Sequence, residues 1–400
     1  MDENGRRPQE TAVHALVLSG SGCSSTAAFE VGAMKALFEG RGAHLNGMGL
    51  DPAIYSGSAF GAFNAAVMAS QIGGDTPATL QYLERAWLED LCARSPDGGN
   101  GVYRLRGNPL PLFDPRAYAA QPTKPIVNAV NDFVFLSRNL LDRLGFFLGE
   151  TKGPLLERLM HVPDLTPFFD MTPLQHQLRK HIHLKRLRQS DKELVVVATN
   201  WAKGRACVFT KQDMTDKKGH KILQGSATFL LTFPPVIING TPFAGGPSSI
   251  ATPLKPVCDI YGPQTQNLVI HVLDLLTPME HLTRSEKMSM IAGFGHYFNM
   301  VEKINIHNDF EYESTNRNCI EENASARGEQ TDSADGHSVT IHKYRPRKPL
   351  VNWFECITFD RQKAEERIEQ GYRDTCTHDC EAEGCLLATP KEVTGIFAET

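Results

Sequence analysis

The sequence predicts an α/β protein with a mainly parallel sheet between layers of helices, and three features carry that reading. A strand, a glycine-rich turn and a helix follow one another twice before residue 75. Leu194 to Thr199 is an apolar, valine-rich run of the kind buried on both faces of a parallel sheet. Leu268 to Leu273 supplies another such run late in the chain. With 400 residues, 41% of them apolar and 22% charged, the chain has enough material for a full core.

Ala15-Leu16-Val17-Leu18 reads as the first strand, Ser19-Gly20-Ser21-Gly22 as its turn, and Phe29, Ala33, Ala36 and Leu37 as one face of the following helix. The second unit has Ala53-Ile54-Tyr55, the turn Ser56-Gly57-Ser58-Ala59-Phe60-Gly61, and a helix through Ala62, Ala65, Ala66 and Met68 that Gly73-Gly74 ends. Thr76 as cap with Pro77 at the first position opens a third helix, in which Leu80, Leu83, Trp87 and Leu91 recur at helical spacing. From Pro125 to Leu148 the stripe Ile126, Val130, Phe133, Leu140, Leu144 and Leu148 predicts a long helix. Such a stripe is expected to face the core; a lid or a membrane-docking surface is its other use.

Lys203-Gly204 turns the valine-rich strand into a partner, Ala206 to Thr210, and Val236-Ile237-Ile238 turning at Asn239-Gly240 marks a hairpin. Val339-Thr340-Ile341 is a late strand, and Asp360 caps a last helix through Ala364, Ile368 and Tyr372. The polar stretch 314–338 reads as a mobile loop. The organisation expected is a polar tail over 1–12, one domain over 13–372 and a cysteine-bearing tail over 373–400.

Lys plus Arg at 41 against Asp plus Glu at 46 leaves a net charge of −5, which excludes a global basic field for nucleic acid. Nine cysteines without a pairing rhythm suit a reducing compartment, so the cytoplasm is the expected location. Met1 to Glu10 is polar and does not lead into a signal-peptide apolar stretch. No run of 18 apolar residues occurs, so membrane contact is expected to be peripheral.

A glycine-rich turn entering a helix cradles an oxyanion or a phosphate, because backbone N–H groups and the positive helix end converge there. Gly57 and Gly61 flank a position where a nucleophile elbow places serine on a sharp strand-to-helix bend. In this chain that position is Ala59.

Leu16-Val17-Leu18-Ser19-Gly20, Phe29-Glu30-Val31-Gly32-Ala33 and Gly61-Ala62-Phe63-Asn64-Ala65-Ala66 are similar to segments of the patatin-like phospholipases, and so are Trp87-Leu88-Glu89-Asp90, Phe169-Asp170-Met171-Thr172-Pro173-Leu174, Ala198-Thr199-Asn200, Phe233-Pro234-Pro235 and Phe359-Asp360-Arg361. The resemblance spans most of the chain and implies a patatin-like three-layer α/β fold and lipid acyl hydrolysis by a Ser/Asp dyad. Aligned without a gap, the family serine falls on Ala59, whose methyl group can neither lose a proton nor attack a carbonyl. The family's Asp-Gly-Gly turn falls near Phe243-Ala244-Gly245-Gly246-Pro247, where equal segment length puts Gly245 at the acid position and matching the glycines puts Ala244 there. No Asp occurs from Asn239 to Leu254. The oxyanion loop, Gly20-Ser21-Gly22-Cys23, is longer than the family's Gly-Gly-Gly turn, and the segment before Phe233 lacks the family's proline.

The expected function is therefore that of a pseudoenzyme, a family member that binds a lipid, an acyl chain or a protein partner without turnover. The alternative is an active acyl hydrolase with a displaced nucleophile, Ser58; Ser56 and Cys23 are weaker stand-ins. Asp259 and Asp274 lie beside expected strands, but nothing in the sequence sets either opposite Ala59. Cys376, His378, Cys380 and Cys385 offer four N/S donors in the tail, yet their spacing matches no strong zinc motif, and no resident metal or other cofactor is expected.

Overall fold

The computed structural model describes residues 12–20, 24–94, 99–120, 122–148, 168–228, 233–245, 252–265, 267–275, 300–301, 304, 307–308, 338–350 and 357–387. Residues 1–11 of the expected tail and 314–337 of the expected loop lie outside these residues, as do Ser21, Gly22 and Cys23, while Ser338, expected to close the loop, opens a strand instead.

In chain order the elements are β1 (Val13–Leu18), α1 (Ala28–Phe38), β2 (Ile54–Ser58), α2 (Ala59–Ser70), α3 (Thr76–Arg85), β3 (Arg104–Leu105), α4 (Pro115–Ala120), α5 (Lys124–Leu148) and β4 (Phe169–Asp170). There follow α6 (Thr172–His181), α7 (Leu184–Gln189), β5 (Glu193–Asn200), β6 (Arg205–Thr210), α8 (Gly219–Ala227), β7 (Val236–Ile238), β8 (Thr241–Ala244), α9 (Leu254–Tyr261), β9 (Asn267–Leu273), β10 (Ser338–Tyr344), α10 (Arg361–Cys376) and α11 (Cys380–Glu383).

The sheet runs β10-β9-β1-β2-β5-β8-β7, with β6 also on β5. Strands β10, β9, β1, β2 and β5 are mutually parallel, whereas β6, β8 and β7 are antiparallel additions at the β5 end. Period-two alternation splits the central strands between two cores. Leu16, Leu18, Tyr55 and Val196 face α1, α2 and α10, while Ala15, Val17, Ile54 and Ile270 face Leu254 and Val257 of α9. These are the three layers expected of the fold.

Several boundaries follow local chemistry. The β7–β8 hairpin turns at Asn239 and Gly240, both at positive φ (49° and 78°), as the Asn-Gly pair requires. Asp360 caps α10 by accepting the Lys363 N–H at 3.2 Å. For α3 the cap is Asp75, not Thr76: Asp75 accepts from Ala78 N at 2.7 Å, and the Thr76 hydroxyl instead donates to Asp51. Helix α2 stops at Gln71, which takes the left-handed conformation (φ 51°) ahead of Gly73. Helices α1 and α10 cross at glycines, since a Cβ on Gly32 would stand 1.7 Å from Ile368 O and one on Gly371 would stand 2.1 Å from Phe29 O.

The largest departure from expectation is α5. Its apolar stripe does not face the core: Ile126, Val130, Phe133 and Leu140 are 53%, 57%, 71% and 59% exposed. The helix docks through a charge instead. Asp132, buried, takes two hydrogen bonds from Arg104 (2.9 and 3.0 Å) and one from Gly107 N (2.9 Å), and Arg104 also binds Asp170 at 3.0 Å. A bidentate carboxylate–guanidinium pair fixes orientation, Phe135 packs edge-on against Phe168 at 5.7 Å beside it, and the stripe of Ile126, Val130, Phe133 and Leu140 is left outward.

Candidate functional site

The elbow is built where β2 ends. Ala59 opens α2 directly from the strand with φ at +47°, a left-handed conformation that costs an L-residue about 1–2 kcal/mol. The bend is possible because glycines let the backbones close on it. A Cβ at Gly57 would lie 2.4 Å from Gly61 O, one at Gly61 would lie 2.7 Å from Leu18 O, and one at Gly20 would lie 2.1 Å from Ser58 O. Gly20 also faces the methyl group of Ala59, since its own Cβ would meet Ala59 Cβ at 2.4 Å. Ala59 and Ser58 are 7% and 5% exposed.

The neighbouring hydroxyls are engaged with backbone. Ser58 Oγ accepts the Gly20 N–H at 3.0 Å, so a donor of the glycine turn is directed at this hydroxyl. Ser56 donates to Pro253 O at 3.3 Å on the α9 side of the sheet.

Sheet topology brings Ala244 and Gly245, the two candidates for the acid position, toward the same place. Strand β6 lines one edge of β5 from Val195 to Asn200, and β2 lines the other edge up to Val197, the partner of Ser58. Since β6 already occupies its own edge at Thr199 and Asn200, β8, which pairs with those two residues, lies on the edge used by β2. Ala244, opposite Thr199, is thus two residues, about 7 Å, along β5 from the Ser58 level. Gly245 follows it, donating its N–H to Thr228 O at 2.7 Å. A Cβ on Gly245 would stand 1.7 Å from Ser226 O, so a carboxylate side chain there requires the backbone at the end of α8 to move. Ser226 is buried and donates to Val197 O at 2.6 Å, bridging α8 to the β5 residue opposite Ser58. Sequence reasoning passed over Ser226 as part of a small-residue segment; its role depends on pairing between strands distant in the chain.

Beneath the elbow lies a buried polar network. Asn64 of α2 donates to Glu30 Oε2 (2.8 Å) and Ala27 O (3.0 Å) and accepts from Trp87 Nε1 (2.8 Å). Burial holds the Glu30 carboxyl well above its ordinary pKa, with the Asn64 hydrogen bond only partly opposing this. Asn64 thereby ties α1 to α2, and burial favours the uncharged form of Glu30, whose Oε1 has no hydrogen-bond partner among the described residues.

Other sequence candidates stand elsewhere. Asp274 pairs with Lys343 at 3.4 Å beside β10, and Asp259 pairs with Lys255 at 3.3 Å on α9. In the tail, His378, Cys380 and Cys385 converge, with His378 Nε2 3.4 Å from each sulfur, whereas Cys376 lies by Tyr372. A groove of about 600 Å³ runs between α1, α3 and α10, past Lys35, Glu84 and Leu88, and none of its lining residues belongs to the elbow.

A strand-to-helix bend on a parallel sheet, with a glycine turn facing its centre, is the architecture of a nucleophile elbow. The patatin-like phospholipase family model matches residues 16–256, more than half of the chain, and the chain belongs to that family. Among solved structures it is similar to VipD from Legionella pneumophila, at 13% identity and a TM-score of 0.39, with 92% of this chain and 66% of that chain covered. A search of curated proteins finds no match.

Proposed function

We propose that this patatin-like protein is catalytically silent and works by engaging lipid, using the outward apolar side of α5 as its contact surface. The observation that supports silence is the elbow: Ala59 keeps the strained backbone of a nucleophile position while presenting only a methyl group, and that methyl packs against Gly20. Hydrolysis of an ester requires a group that can attack the carbonyl and a partner that takes its proton. At the acid position Ala244 offers hydrocarbon and Gly245 offers backbone.

The lipid reading rests on α5. Phe133, Leu140 and Leu141 are 71%, 59% and 67% exposed, and Leu110 and Phe113 nearby in the chain are 71% and 80% exposed. Large outward apolar faces mark interaction surfaces, and a helix whose charged side is anchored and whose apolar side is free suits shallow insertion at a membrane interface. No helix among the described residues is long and apolar enough to cross a membrane.

The test pairs two assays on the full chain. Release of p-nitrophenol from acyl esters is expected to equal that of a boiled control, and Ala59→Ser alone is expected not to restore it, because the acid is still lacking. Sedimentation with phosphatidylcholine/phosphatidylglycerol vesicles is expected to carry the protein down, and Phe133→Asp with Leu140→Asp to leave it in the supernatant. Fluorophosphonate labelling of Ser58, with turnover lost in Ser58→Ala, would overturn silence; unchanged sedimentation of the α5 variant would overturn the lipid surface.

A further inference from the structure

We propose that the chain holds one zinc ion at the β10 edge of the sheet, with His44, His342, His378 and Cys380 as its ligands. The four residues come from the turn after α1 (His44), β10 (His342), the turn between α10 and α11 (His378) and the first residue of α11 (Cys380). One donor atom from each lies within 4.8 Å of all the others.

Two of the separations are those of a coordination sphere, and the whole set would close by less than about 1.5 Å on binding. Cys380 Sγ is 3.4 Å from His378 Nε2 and 3.5 Å from His342 Nδ1. With Zn–S near 2.3 Å and Zn–N near 2.0 Å, sulfur and nitrogen on one tetrahedral zinc stand about 3.5 Å apart. A thiol makes only weak hydrogen bonds, so two imidazole nitrogens gathered on one sulfur are better explained by a shared cation. Three imidazoles and a thiolate form a closed set of borderline-soft donors, which favours zinc over magnesium or calcium.

His44 supplies an independent sign. Its Nδ1 is buried with no hydrogen-bond partner among the described residues, an expensive state for a polar atom. Its Nε2 contacts Tyr344 Oη at 2.7 Å. Tyr344 Oη also meets His271 Nδ1 at 2.9 Å, and His271 Nε2 meets His14 Nδ1 at 3.2 Å. Two opposite sets of protons satisfy this chain, and the one a cation would select has His44 Nε2–H donating to Tyr344, Tyr344 O–H donating to His271, and His271 Nε2–H donating to His14. That assignment leaves the lone pair of His44 Nδ1 unshared and directs the ring as an outer-shell partner directs a zinc ligand.

The ion would tie the C-terminal turn over an edge strand. That turn already pairs with β10, through Ile341 N to Leu386 O (2.7 Å) and Leu386 N to Ile341 O (2.9 Å). On binding, Cys380 loses its proton to solvent and coordinates as thiolate, with no change in oxidation state.

The experiment uses the full chain purified from zinc-supplemented cells and dialysed against metal-free buffer. Elemental analysis is expected to find about one zinc per chain, and Cys380→Ser or His378→Gln to lower this about tenfold or more. Cys376→Ser is expected to keep the wild-type content, and Tyr344→Phe to weaken zinc binding by about 10–100-fold. Folding failure of a variant is circumvented by the unmodified chain: replacement of zinc by cobalt should give a thiolate-to-cobalt charge-transfer band and tetrahedral visible bands. Wild-type protein that retains no zinc and gives no such bands, or Cys380→Ser with undiminished zinc, overturns the site.

Discussion

The elbow at the end of β2 and the histidine cluster on β10 are opposites. At the elbow, a costly backbone carries only a methyl group: Ala59 sits at φ +47° among close-packed glycines. On β10, chemically capable side chains gather on regular strand and helix-end geometry, with ordinary backbone at His342 and Cys380. The contrast separates two things often read together. Backbone strain survives where packing on every side enforces it, whereas chemistry needs only a few side chains and vanishes or arises with them.

The largest effect should come from placing an acid at Gly245. Gly245→Asp places a side chain 1.7 Å from Ser226 O, and overpacking of this kind is expected to cost about 3 kcal/mol, read as a lower urea midpoint at unchanged slope. Wild-type stability in that variant would mean the elbow is roomier than its contacts state, and the contrast with β10 would break.

That close contact marks the limit of what was legible in the chain. Local signals carried the strands, the Asn239-Gly240 hairpin and the Asp360 cap, because each depends on neighbours within a few residues. The family motifs point to Ala59 and to Gly245 or Ala244 as positions. They could not show that Ser226 closes on Gly245, because that depends on β8 docking along the β2 edge of β5. In the tail, His378 and Cys380 stood close enough in sequence to be noticed, but His44 and His342 are brought to them only by the sheet. For the α5 stripe, periodicity finds an apolar side and leaves core and outward surface both open; the Asp132–Arg104 pair, distant in sequence, decides for the outward one.

The next largest effect tests the support beneath the elbow. Asn64→Ala strands the Trp87 N–H and removes the hydrogen bond to Glu30, with an expected loss of about 2–3 kcal/mol in chemical denaturation. Glu30→Gln should behave differently. Since the folded carboxyl is held protonated above its ordinary value of 4.5, the wild-type chain gains most from it at low pH. Above that value the unfolded chain releases the proton and the folded chain does not, so stability falls by up to about 1.4 kcal/mol per pH unit until the folded group itself ionises. Glu30→Gln is expected to flatten this loss, measured as ΔG of unfolding between pH 5 and 8. An unchanged pH slope would show that Glu30 is ionised in the fold.

The smallest expected effect is the sharpest on strain, because its sign is at issue. Alanine to glycine inside a buried helix ordinarily costs about 1 kcal/mol, and Ala62, fully buried in α2, should follow that rule. At Ala59 the same change removes the left-handed penalty of about 1–2 kcal/mol while adding unfolded-chain entropy of similar kind. Ala59→Gly is therefore expected to be neutral or to gain about 0.5 kcal/mol, so the two variants should differ by about 1.5 kcal/mol in matched denaturation curves. Equal losses at both positions would mean that Ala59 bears no strain, and the elbow would then be an ordinary helix start with nothing of a reactive site left in its backbone.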